Sequence, residues 1–200
     1  MLGAAGGLKR IEGVDLSRMR GDEAVGAVVV FRDGLPSPQE YRRYIIRMAA
    51  GDDDYAGMRE VVKRRLAREK AEGRKAPDLL LLDGGEGHLR AVAGVTEEAT
   101  AGGMALAALA KREEELFLPG REGSVRLPED SPGLHLLQRV RDEAHRYVNA
   151  YLRKRRSMVL REGARQAARE SAANRRVRRA GARRADGRGT KGATAPGAGA

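Results

Sequence analysis

Apolar and polar positions divide most of the chain into short extended stretches and longer stretches of helical spacing. Residues 11–16 alternate loosely, residues 24–31 (AVGAVVVF) are strongly β-branched, and residues 41–46 read as a third strand. Arg32-Asp33-Gly34 is a turn signal, so the three strands are predicted to form an antiparallel meander. From residue 52 the spacing changes. Tyr55, Met58, Val61, Val62, Leu66 and Ala67 recur at helical intervals, Asp52-Asp53-Asp54 favours the positive end of a helix dipole, and Gly73 ends the run. Asp78-Leu-Leu-Leu-Leu-Asp83 is a short, wholly apolar run, which suits a central strand covered on both faces. A second helix is predicted over residues 87–99, a buried strand over 104–110 (whose alanines also permit helix), and a polar hairpin over 115–128 with turns at Pro119-Gly120 and Glu122-Gly123. The last helix opens at Ser131, an N-cap followed by Pro132. Leu136, Val140, Ala144, Tyr147 and Tyr151 form its predicted apolar stripe, and His145 stands at the edge of that stripe, about 100° round from Ala144.

The order is meander, helix, strand, helix, strand, hairpin, helix. It argues for an α/β fold, a mixed sheet flanked by helices. The ribonuclease H-like arrangement has this order and ranks first among the candidates. Residues 1–157 are read as the folded domain. Residues 158–200 are rich in Arg, Ala and Gly and lack a sustained apolar period. The helix is expected to continue to about Gln166, and a disordered basic tail is expected beyond it.

Charge sharpens that division. The whole chain carries a formal net charge of +11, but residues 153–200 hold 15 Lys or Arg against 3 acidic residues. Residues 1–152 hold 24 basic and 25 acidic residues, so the body is near neutrality and the basicity belongs to the tail. Such a tail alone is a weak, salt-sensitive signal for nucleic acid. The absence of Cys excludes disulfides and thiolate metal sites. No segment reads as a signal peptide or membrane span, which makes a cytoplasmic location the expectation.

Candidate chemistry lies where strands end. Asp15 closes the first predicted strand and Asp83 the apolar one. If those strands are neighbours, the two carboxylates meet beyond the strands' carboxyl ends, where ligands of open α/β sheets collect. Asp52 to Asp54 begin a helix, and His145 approaches from the last one. Carboxylates bind Mg²⁺, Mn²⁺ also accepts imidazole, and such ions can hold the attacking and leaving oxygens of a phosphodiester. His145 can bind a metal or handle the proton of an attacking water. Ordinary readings stand beside these: Asp15 as a strand end, Asp83-Gly84-Gly85 as a turn, Asp52 to Asp54 as a charged helix start, and His145, His88 and His135 as surface or packing residues. DGGEGHL has neither P-loop nor GxGxxG spacing, so nucleotide binding there is rejected.

Six ordered blocks carry a resemblance: RIEGVDLS, EYRRYIIR, GDDDYAGM, PDLLLLDGGEGHL, LAKREEELFLPGR and DSPGLHLLQRVRDEAHRY. Over roughly residues 8–157 the chain resembles the C-terminal endonuclease domain of UvrC, the incision subunit of bacterial nucleotide excision repair. The resemblance implies a ribonuclease H-like fold and Mg²⁺- or Mn²⁺-dependent hydrolysis of damaged double-stranded DNA on the 5′ side of a lesion. It also implies UvrB as partner, with UvrA acting upstream. It matches Asp15, Asp83 and His145 to the family's catalytic and metal-binding residues, and Asp54 to the aspartate of its GDDYAAM-like segment, a further catalytic residue that would bind or tune the site from the helix start, with Asp53 as the competing alignment. Lys111 matches the lysine of LAK and would meet a phosphate or lie on the surface.

Arg18 stands where the family usually has His or Asn, and Glu86 where it often has Lys. An N-terminal GIY-YIG domain, a UvrB-binding segment and tandem helix-hairpin-helix motifs, which accompany this domain in the family, are not found in the chain. The tail after Ser157 has the look of a replaced or out-of-frame terminus. Two other readings remain open: a non-catalytic remnant that only binds DNA or protein, and a basic tail that is itself the nucleic-acid arm.

Overall fold

The computed structural model describes residues 7–18, 23–47, 53–111 and 114–186, with side chains as far as 170. The chain divides into two compact units, Met1–Leu152 and Arg153–Ala200. The first is built on one mixed sheet. Its strands are β1 (Arg10–Arg18), β2 (Glu23–Arg32), β3 (Leu35–Pro36), β4 (Arg42–Arg47), β5 (Leu79–Asp83), β6 (Ala105–Ala110), β7 (Glu115–Phe117) and β8 (Val125–Arg126). The helices are α1 (Asp54–Ala71), α2 (Glu86–Ala101) and α3 (Pro132–Asp186). The sheet order is β3-β2-β1-β5-β6-β7-β8, with β4 also paired to β2.

β1, β2 and β4 form the predicted meander, all antiparallel. Asp33 and Gly34, with φ of 49° and 78°, make the tight turn after β2. That sign at both positions suits a hairpin whose turn follows the strands' twist. The short β3 follows, pairing Phe31 with Pro36. β5 joins β1 in parallel, and β6 joins β5 in parallel, each reached through a helix. The polar hairpin is present as β7 and β8, with Gly120 and Gly123 at positive φ between them.

The period of two in the strands sorts side chains between two cores. Leu80 and Leu82 pack with Val14, Met58, Val61 and Val62 beneath α1 and α2. Leu79 and Leu81 pack with Ile11, Val29, Val140 and Ala144 beneath α3. The four leucines of LLLLD are therefore buried alternately on both faces, as a central strand requires. Two glycines admit the helices. A Cβ on Gly26 would lie 2.2 Å from Val61 Cγ2, and one on Gly13 would lie 2.6 Å from Val140 Cγ1 and 3.1 Å from the Val140 carbonyl oxygen. Gly13→Ala must displace α3, since a backbone atom opposes the new methyl. The expected cost is roughly 1–3 kcal/mol, read as a lower urea midpoint and partly restored by Val140→Ala.

Three expectations need correction. The buried line of α3 runs through Leu134, Leu137, Val140, Ala144, Val148 and Leu152, while Leu136, Tyr147 and Tyr151 flank it. Amphipathic tyrosines shift a stripe read from sequence. Tyr147 carries the Arg43 guanidinium 3.9 Å over its ring and meets Tyr41 edge-on at 5.1 Å. Tyr55 is 43% exposed and takes no part in the core. Inward positions of α1 are instead held by Arg65 and Glu69, which join Arg10 and Glu12 in a buried ionic network. Finally, α3 extends past Gln166 to Asp186. Residues 167–186 are dominated by Ala and Arg, both strong helix formers. Described side chains from 157 to 170 are exposed, so local propensity accounts for this helix rather than packing. The Gly-rich terminus beyond 186 lies outside the described residues, as does Asp52.

Candidate active site

Parallel register brings the two carboxylates together. Ile11 to Val14 pair with Leu79 to Leu82 in sequence, so the next step sets Asp15 beside Asp83 where the β1–β5 pairing ends. β5 closes at Asp83, but β1 runs on to Arg18 along β2, so Asp15 lies inside its strand rather than closing it as the sequence suggested. Asp83 pairs on its other side with Leu109 of β6. Gly84 and Gly85 then turn the chain into α2, and the Gly84 N–H donates to the Leu109 carbonyl at 3.3 Å.

The third group comes from α3. Pro132 opens the helix, and Ser131 Oγ accepts from the Leu134 N–H at 3.4 Å. Val140 seats the helix on Gly13, and buried Ala144 keeps the next turn on the sheet. His145, one residue on, projects from the flank, and its Nδ1 lies 3.1 Å from Asp15 Oδ2. Ligand atoms of Asp15, Asp83 and His145 all lie within 4.8 Å of one another.

Burial raises the proton affinity of both carboxylates, and like charge adds to it at Asp15. Burial first, and the neighbouring Asp83 carboxylate second, push the Asp15 carboxyl up from 3.8 to about 6, against the pull of His145. Burial also raises Asp83, opposed by Lys111, Arg141, His145 and His88. One buried and one half-buried carboxylate with an imidazole are hard and borderline donors, the set that a divalent cation such as Mg²⁺ or Mn²⁺ accepts. The arrangement can hold a cation next to a group able to bind a proton.

Asp54 stands apart from the trio. It begins α1, is exposed, and pairs with Arg18 (Nε to Oδ1, 2.6 Å). Its neighbour Asp53 is the N-cap of α1, accepting from the Ala56 N–H at 2.9 Å. Glu86 begins α2 and pairs with Arg90 at 2.8 Å. Lys111 is exposed just after β6 and faces Asp83 electrostatically.

Two residues near the trio were not assigned to the site from sequence: Arg141 was not singled out, and His88 was read only as a surface or packing residue. Arg141, only 6% exposed, lies one turn before His145 and donates from Nη1 to Glu114 Oε2 at 2.6 Å. The four-residue interval to His145 was its signal. His88 is half-buried on the first turn of α2, where burial lowers its pKa and Asp54, Asp83 and Asp53 oppose that shift. Its signal was the strand-turn-helix connection, which returns the first helical turn to the strand end. His135 does not join the trio.

The family model for the UvrC RNAse H endonuclease domain matches residues 1–148. The chain belongs to that family. The UvrABC system protein C of Synechococcus sp. strain JA-3-3Ab is 47% identical over 154 residues, covering 75% of this chain and 24% of that protein. Its counterpart in Mycolicibacterium smegmatis is 42% identical over 172 residues, covering 78% and 24%. The chain thus spans about a quarter of the length of these UvrC relatives. Among solved structures, Ciona intestinalis endonuclease V bound to an inosine-containing DNA has 17% identity and a TM-score of 0.42, covering 70% of this chain and 58% of that one. No helix among the described residues is long and apolar enough to cross a membrane.

Proposed function

We propose that this chain is a metal-dependent DNA endonuclease domain that hydrolyses the damaged strand on the 5′ side of a lesion. The observation that carries the reading is the convergence of Asp15, Asp83 and His145 within 4.8 Å in a chain of the UvrC nuclease family. Ribonuclease H-like nucleases typically use divalent metals, and Asp15, Asp83 and His145 are the residues that would hold one here. A bound Mg²⁺ or Mn²⁺ would supply charge stabilisation at the phosphate and a more acidic water.

The chain's own groups divide the remaining work. In the tautomer that carries its proton on Nδ1, His145 donates to Asp15 Oδ2, 3.1 Å away, and its single free lone pair on Nε2 either binds the cation or takes a proton from water. His145 is 46% exposed at its side chain, so water reaches it. Lys111, on the Asp83 side, meets a phosphate oxygen of the bound strand. Asp54 tunes the site from the start of α1 through its pair with Arg18. UvrB, with UvrA acting upstream, would deliver the lesion, because the relatives matched are components of the UvrABC system.

The Arg18–Asp54 pair favours a second reading, a non-catalytic remnant, because it engages a carboxylate that the family resemblance assigns to the site. One experiment separates the two. Duplex DNA with one lesion and a labelled damaged strand is incubated with Mn²⁺ or Mg²⁺, UvrA, UvrB and the parent chain or Asp83→Asn. A cut 5′ to the lesion, slowed on the order of 10²-fold or more in Asp83→Asn, is expected. Equal cutting by the two chains sinks the nuclease reading. No cutting, together with Mn²⁺ affinity unchanged by Asp83→Asn, establishes the remnant.

A further inference from the structure

Asp83 is the member of the trio whose position depends on a glycine turn. At Gly84 the chain takes φ of 154°, and a Cβ there would lie 2.3 Å from His88 Nδ1. The imidazole therefore occupies the space beside the turn that a side chain would fill. His88 folds back from α2, with its backbone N–H donating to the Gly85 carbonyl at 3.1 Å. Its ring meets Tyr55 edge-on, with centroids 4.8 Å apart and planes at 65°. Tyr55 lies against Gly87 in turn: a Cβ there would be 2.7 Å from the phenol oxygen and 2.8 Å from two ring carbons. In this arrangement neither glycine has room for a Cβ, and the two contacts together form a stack from Gly84 through His88 to Tyr55. The stack joins the turn after Asp83 to the first turn of α1, where Asp53 and Asp54 lie.

The His88 side chain makes no hydrogen bond among the described residues, and its nitrogens do not belong to the donor group around Asp15. Shape holds the ring, not a ligand. A half-buried imidazole wedged between a glycine turn and a tyrosine constrains whatever the turn carries.

We propose that His88 and Tyr55 are positioning residues that fix the Gly84 turn and thereby aim the Asp83 carboxylate at Asp15 and His145. Cation affinity then depends on two side chains that do not touch the cation. The proposal rests on the metal-site reading above, so its test must tell failure of one from failure of the other.

The measurement is Mn²⁺ affinity of the full chain by titration, with the thermal midpoint followed in parallel. His88→Ala and Tyr55→Leu are each expected to weaken Mn²⁺ binding about 10- to 100-fold, the usual effect of losing a group that orients a ligand. The double variant should be no weaker than the worse single variant, because both act through one stack. His88→Phe keeps a ring in the wedge and removes both nitrogens. It should bind Mn²⁺ as the parent does, which neither a ligand nor a general loss of stability predicts. If His88→Ala fails to fold, Tyr55→Leu and His88→Phe carry the test. Parent-like affinity in Tyr55→Leu, or lost affinity in a folded His88→Phe, overturns the positioning role. Asp83→Asn is the control: if it binds Mn²⁺ as the parent does, the metal-site reading and this proposal fall together. If it alone loses Mn²⁺, only this proposal falls.

Discussion

Asp15→Asn is expected to make the metal-free protein more stable above pH 6 while abolishing its stabilisation by Mn²⁺. The Asp15 carboxyl is raised to about 6 by burial and by Asp83, whereas in the unfolded chain it titrates near 3.8. Between those values the folded chain keeps a proton that the unfolded chain has released. Stability from this group is therefore fully present below about pH 4, falls as pH rises through 6, and is flat above. The fall amounts to roughly 1–3 kcal/mol, or a few degrees to about 10 °C in the thermal midpoint of a domain this size. Asparagine cannot ionise, so the variant should show a flatter pH profile and a higher midpoint at pH 8. It should also lose the midpoint rise that a cation produces by binding only the folded form. Thermal scans from pH 4 to 8, with and without Mn²⁺, check both halves. A lower midpoint than the parent at pH 8 would show that the charge on Asp15 is not what destabilises the site.

The two carboxylates of the site were legible in the sequence from the strands that carry them. Asp83 ends a run of four leucines, which suits a central strand, and Asp15 lies on a strand that can pair with it. Parallel register then leaves the carboxylates little choice but to meet. His145 was legible because a residue 100° round from a buried alanine stands at the flank of its helix. Asp54 was harder to place. Three consecutive aspartates at a helix start compete for the cap, and a capping geometry chose Asp53, leaving Asp54 to the Arg18 guanidinium. His88 kept only its ordinary reading because, although the strand-turn-helix connection places it near the strand end, its packing against Gly84 and Tyr55 is a shape match that no periodicity records. The inward side of α1 was hidden for a different reason. Arg65 and Glu69 read as surface residues by type, and only their partners Glu12 and Arg10 on the adjacent strand make them interior ones.

That buried network supplies the largest stability effect to be expected. Glu12 is fully buried on β1, three residues before Asp15. Its carboxylate receives Arg65 twice, from Nε at 2.8 Å and from Nη2 at 2.6 Å, and also pairs with Arg10. Glu69 pairs with Arg10 and accepts from Arg74 Nη2 at 2.8 Å, and it lies 3.1 Å from Arg65. Glu12→Ala would leave the Arg65 guanidinium, 2% exposed, with one carboxylate in place of two and no water to replace the other. Stranding a buried charge costs about 3–5 kcal/mol, a large part of the net stability of an ordinary domain. The expected result is a much lower urea midpoint with little change in slope, and loss of Mn²⁺ binding wherever the domain is unfolded. Replacing both partners separates charge from packing. Glu12→Leu with Arg65→Met removes the pair together and fills the space with apolar atoms, so it should recover much of the loss, since the desolvation cost of both ions disappears. If the double variant is instead as unstable as the sum of the singles, the network's value lies in specific hydrogen bonds that set α1 on the sheet. In that case Mn²⁺ affinity in the folded double variant should fall too, because α1 carries Tyr55 against the turn that follows Asp83.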